Sequence, residues 1–99
     1  MGEEFTKVGA NTVASCNGFT VEAKSTGGVK YCDDRGEALI RSEWLVEPPT
    51  LGIVLYKNDP GNKGFDGMDQ AQIDSIFSNV ARALEYLDHR PQIWSSPSG

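Results

Sequence analysis

Asp69 to Leu87 reads DQAQIDSIFSNVARALEYL, and this stretch decides the fold class. Ile73, Ile76, Phe77, Val80, Leu84 and Leu87 recur at the three- and four-residue intervals that place them on one stripe of an α-helix. Asp74, Ser78, Arg82 and Glu85 fall on the opposite face, so the helix has one side to bury and one to wet. Asp69 offers its carboxylate to the open N–H groups of the first turn, and Gln72 stands in the reciprocal capping-box position. A stop is expected at Arg90, because Pro91 restricts the residue before it. A helix of roughly 20 residues, ~30 Å long, then needs an apolar surface to lie on.

The residues upstream supply that surface as strands. Thr12 to Ser25 (TVASCNGFTVEAKS) divides around Asn17-Gly18, the dipeptide that best fits a type I′ hairpin turn. After it Phe19, Val21 and Ala23 alternate with Thr20, Glu22 and Lys24, the period-two pattern of a half-buried strand. Gly27-Gly28 leads into VKYCDD, and Arg35-Gly36 separates that run from EALIRSEWLVE. These segments predict a four-strand meander. Thr50 to Lys57 (TLGIVLYK) follows Pro48-Pro49 as an apolar run with little alternation and is expected mid-sheet or covered on both faces. The Gly/Pro-rich segment Asn58 to Met68 is a loop. The expected architecture is α+β: an antiparallel sheet of about five strands, beginning as an N-terminal meander, packed by one long C-terminal α-helix. One domain should span residues 1–90, with 91–99, short and Ser/Pro-rich, as a frayed tail.

Composition narrows the function classes. The 99 residues are 38% hydrophobic and 23% charged, inside the globular range, so the chain should fold. Fourteen acidic residues against nine basic ones give a net charge of -5, which repels phosphate and anionic lipid. Direct nucleic-acid and membrane partners are therefore not expected. No apolar run approaches the ~20 residues of a bilayer span, and MGEEFTK carries acids where a secretory signal has bases, so the chain is read as cytoplasmic.

The catalytic inventory is thin. His89, the single histidine, is expected at the helix C-terminus, where the macrodipole favours an imidazolium. Cys16 and Cys32 fall on strands one and three of the meander, ~10 Å apart before any offset, too far for a disulfide. Zinc-site spacing is absent, and Asp33 and Asp34 beside Cys32 disfavour a thiolate. Gly61 to Gly64 (GNKG) matches the four letters of a KH-domain backbone clamp, but follows a strand rather than joining two helices. Asp59, Asn62, Asp66 and Asp69 lack the spacing and the bidentate Glu of a calcium loop. Glu43 and Glu47 flank Trp44 on a strand with nothing to mark a cleft. No catalytic residue, metal site or cofactor is expected, and the chain is not read as an enzyme.

What remains is a segment for binding. Acidic residues gather in the middle third together with Tyr31, Trp44 and Tyr56, and aromatic anchors in a charged surround are what protein interfaces use. The expected partner-binding residues are Asp33, Asp34, Glu43, Trp44 and Asp59, the acids facing Lys and Arg of the partner and Trp44 supplying desolvated area.

The order of elements carries a resemblance over roughly the C-terminal two-thirds. Acidic residues after Tyr31, SEWL at Ser42 to Leu45, the strand GIVLYKND, a Gly/Asp-rich loop and the closing helix DSIFSNVARALEYL resemble small bacterial immunity proteins of the immunity protein 74 type. The corresponding helix positions are Ile73, Phe77, Ala83, Leu84 and Leu87, with Phe77 where an aliphatic residue is expected. Such proteins are encoded beside polymorphic toxins, including those of contact-dependent growth inhibition systems. The resemblance implies an antitoxin role: binding a cognate toxin C-terminal domain, a basic nuclease in many such systems, and occluding its active or substrate-binding surface. The alternative is a small nucleic-acid-binding or homodimeric structural α+β domain.

Overall fold

The computed structural model describes residues 4–24, 28–47, 50–57, 59, 61–87 and 89–95. β1 (Phe5–Gly9), β2 (Thr12–Ser15), β3 (Thr20–Ala23), β4 (Val29–Asp33) and β5 (Gly36–Ile40) form an antiparallel meander in chain order. β6 (Ser42–Glu47), β7 (Thr50–Lys57) and β8 (His89–Ser95) form a second sheet, and α1 (Gln70–Tyr86) connects β7 to β8. The class is α+β, with the expected five-strand antiparallel sheet and C-terminal helix.

The helix follows its sequence signals closely at the start. Asp69 Oδ1 accepts the Gln72 N–H at 2.9 Å and Gln72 Oε1 accepts the Asp69 N–H at 3.2 Å, completing the capping box. Ile76, Phe77, Val80, Ala83 and Leu84 are buried on its inner face. They meet Val13, Val21, Val29, Tyr31, Ala38 and Ile40 from the meander and Ile53 and Leu55 from β7 in one core. Burial of each large apolar side chain contributes about 1.5–3 kcal/mol. The helix ends before Arg90. Leu87 caps it, its N–H shared between the carbonyls of Ala83 at 3.3 Å and Leu84 at 3.1 Å, a tightened last turn. His89 is thus the first residue of β8 rather than part of a helix terminus.

Four strand-level expectations are corrected. β1 adds a strand ahead of the predicted meander, antiparallel to β2. The first hairpin has a three-residue loop, Cys16 to Gly18: Ser15 N–H donates to Phe19 O at 2.8 Å, and Gly18 N–H to Ser15 O at 3.1 Å. Gly18, at φ 92, supplies the left-handed residue that such a loop requires. Cys16 therefore sits in a turn, exposed, and Cys32 on β4, both as free thiols.

Third, EALIRSEWLVE divides at Arg41 and does not remain one strand. The Arg41 N–H donates to Asn62 Oδ1 at 2.6 Å and its carbonyl accepts the Tyr56 N–H at 2.9 Å. Both partners are distant in sequence, and they carry the chain from the first sheet into the second. Fourth, the tail is not frayed over its first half: residues 91–95 belong to β8, which pairs in parallel with β7 from Leu51↔His89 to Lys57↔Ser95. Pro91 is tolerated because β8 is an edge strand, and the helix supplies the crossover that parallel pairing needs. Residues 96–99 lie outside the described residues.

The Gly-rich loop closes the β5 edge. Lys63 exchanges both backbone hydrogen bonds with Leu39, at 2.8 and 2.9 Å. Gly64 makes that approach feasible: at φ +89, an added Cβ would stand 2.2 Å from the Glu37 carbonyl oxygen.

Candidate protein-interaction surface

The register of the second sheet sorts its side chains onto two faces. Ser42, Leu55 and Ile93 share one row, and Trp44, Ile53 and Pro91 share the next but one; Ile53 and Leu55 place this face on the core. Glu43, Val54 and Gln92 therefore point the other way, as do Tyr56 and Trp94 one pair further along. Val54 is 1% exposed although it lies outside the core cluster.

This outer face of the sheet carries the aromatic anchors. Trp94 is 49% exposed, and its ring meets Tyr56 edge-on with centroids 6.3 Å apart. The indole Nε1 donates to Gln92 Oε1 at 3.2 Å, which fixes the ring against the strand. The Tyr56 hydroxyl faces the exposed Glu43 carboxylate; desolvation first, then the interaction with Glu43, hold the phenol above its ordinary pKa. Tyr, Trp and a carboxylate thus form a semi-rigid patch.

Of the five expected binding residues, Glu43 lies on this patch and Asp59 beside it. Asp59 is committed to its own loop: Oδ1 accepts the Gly61 N–H at 2.7 Å and faces Arg41 Nη1 at 3.9 Å. Asn62 then ties the same loop to β7, donating to the Tyr56 carbonyl at 2.8 Å. Trp44 is on the inner face. Its Nε1 donates to the Lys24 carbonyl at 3.0 Å, its ring packs at 4.9 Å from His89, and it is partly buried against the core. Its role is to join the two sheets.

Asp33 and Asp34 are elsewhere. Asp33 pairs with Gly36 at the far end of the β4–β5 hairpin, separated from Arg41 and Glu43 by the length of β5, roughly 13 Å or more. Its carboxylate accepts the Tyr31 hydroxyl at 3.0 Å and the Arg35 N–H at 2.8 Å. Burial alone would raise its pKa, but these donors and the Arg35 guanidinium bring it below the usual carboxylate value. Asp34 is exposed in the turn. The acidic residues therefore form two groups at opposite ends of the hairpin, not one patch.

Trp94 was missed as a surface anchor because it falls in the segment read as tail. The signal that places it is the alternation of Gln92 and Trp94 with Pro91 and Ile93, which shows as a strand once β7 is seen to lack a second partner.

Among the described residues, no group of three or more His, Cys, Asp or Glu side chains is placed to hold a metal ion, and no helix is long and apolar enough to cross a membrane. No family model matches the chain, and no curated protein or solved structure matches it significantly.

Proposed function

We propose that the chain is a non-catalytic binding protein, an immunity-type inhibitor that neutralises a cognate toxin domain in the cytoplasm by covering its active or substrate-binding surface. The observation that carries this reading is the outer face of β6–β7–β8, where half-exposed Trp94 stands edge-on against partly buried Tyr56 beside exposed Glu43. Trp and Tyr held in place by neighbours lose little entropy on docking and are the residues most enriched among interface hot spots. The net charge of -5 would steer a basic partner to the molecule before contact. The resemblance of the C-terminal two-thirds to immunity proteins supplies the kind of partner.

The test is co-expression with the C-terminal domain of the protein encoded in the neighbouring reading frame. Growth should be rescued by the natural chain and lost with Trp94→Ala, a surface change that leaves the core intact. Rescue undiminished by Trp94→Ala would remove this face from the interface, and absence of rescue by the natural chain would remove the inhibitor reading.

A second reading, a homodimeric structural domain, draws on β8 being a sheet edge with Ile93 43% and Trp94 49% exposed. Sedimentation equilibrium separates the two, since the inhibitor reading needs no second copy.

A further inference from the structure

At the other end of the meander, the β2–β3 loop, the β4–β5 turn and the middle of the helix enclose a cleft of about 450 Å³. Phe19 and Tyr31, both buried, form an aromatic wall with ring centroids 5.5 Å apart. The polar atoms are chained. Asn79, whose Oδ1 accepts from Arg82, lines the cleft beside Tyr31; Tyr31 donates to Asp33 Oδ2 at 3.0 Å; and Asp33 Oδ1 takes the Arg35 N–H at 2.8 Å. The Tyr31 hydroxyl and the Arg35 N–H fix the direction of the Asp33 carboxylate, and Asp34 adds a second, exposed carboxylate at the rim. The cleft already has a guanidinium at its mouth. Arg35 Nη2 stands 3.6 Å from Asp33 Oδ2, beyond good hydrogen-bond length, and its side chain is 59% exposed.

We propose that this cleft receives the guanidinium of an arginine on a protein partner, and that Arg35 is an intramolecular stand-in which the incoming side chain displaces. The planar fork of arginine suits bidentate pairing with a carboxylate, and its flat, weakly hydrated cation stacks on an aromatic wall better than a compact, strongly hydrated ammonium does. Displacement costs little, because Arg35 is held at long range and regains water as it swings out. The identity of the partner rests on the inhibitor reading, but the chemistry of the cleft does not.

The test uses a short uncharged peptide with one central arginine, titrated into ¹⁵N-labelled protein, with the citrulline peptide as a control of the same shape and no charge. Saturable shifts are expected at the amides of Gly18, Asp34, Arg35 and Gly36, with none from citrulline. Asp34→Asn should weaken binding about tenfold, the value of a charged hydrogen bond, and is preferred to changes at Asp33, which also fixes the turn. Arg35→Gln should tighten binding about threefold, since it removes the competitor and a like charge. A purely structural Arg35 would give no such gain. Non-saturating shifts spread over all exposed carboxylates, equal shifts from citrulline, or no gain from Arg35→Gln would overturn the assignment. If the peptide binds here but the neighbouring toxin is not neutralised, the cleft stands and the inhibitor reading falls; neutralisation with no peptide binding gives the reverse.

Discussion

Asp33 shows how a single ionisable group links the fold to pH. Its folded pKa lies below the ordinary value near ~3.9, so the folded chain binds fewer protons at that site than the unfolded chain does. The stability it contributes is present above about pH 4 and is lost as pH falls through the depressed folded value. Asp33→Asn should therefore lower urea-unfolding stability at pH 7 by about 1 kcal/mol and flatten the acid limb of the stability profile. An acid limb unchanged from the natural chain would show that the Tyr31 and Arg35 contacts do not persist in solution. The glycines separate conformational from steric cost at the same scale. Gly18 has open space around a would-be Cβ, so Gly18→Ala should cost only the left-handed penalty, ~1–2 kcal/mol. Gly64 has the same sign of φ with backbone 2.2 Å away, so Gly64→Ala adds a clash that only withdrawal of the loop from β5 can relieve. Denaturant midpoints should rank the natural chain above Gly18→Ala, and Gly18→Ala well above Gly64→Ala.

At the scale of elements, what was legible depended on how local the cause was. The helix start was readable because Asp69, Gln72 and the apolar stripe act within a few residues of one another, and replacing Asp69 by Ala should cost about 1 kcal/mol, read as a fall in denaturation midpoint without a change in slope. The hairpins from β2 to β5 were readable for the same reason, although the loop at Asn17-Gly18 gained a residue. The break at Arg41 was not, because no Gly or Pro marks it; it is imposed by Asn62 and Tyr56, far along the chain. β8 was hidden twice over. Pro91 and the serines have the composition of a tail, and the partner that turns them into a strand, β7, lies across a 17-residue helix. The candidate surface inherits that history: Glu43 was visible, Trp94 was not, and Trp44, the more obvious tryptophan, serves the junction between sheets.

For the whole molecule, charge and aromatic area act at different stages of an encounter. In the proposed complex the net charge of -5 would act at long range on association, while desolvation of Trp94 would act only after contact, on release. Against a basic partner, raising salt from ~0.1 M to ~1 M shortens the screening length from ~10 Å to ~3 Å and should slow association while leaving dissociation nearly constant. Trp94→Ala should do the reverse, with a loss of about 2 kcal/mol, some 30-fold in affinity, carried by faster release. Asp34→Lys, exposed and distant from Trp94, separates the two ends of the hairpin: it should slow association through its charge and speed release through the lost contact with the partner's arginine, an effect that sums with that of Trp94→Ala because residues that far apart with no shared contacts combine additively. Surface-immobilised kinetics on the single and double variants decide it. A Trp94→Ala variant slowed in association but not in release would place the aromatic face outside the contact and leave charge as the sole determinant of binding.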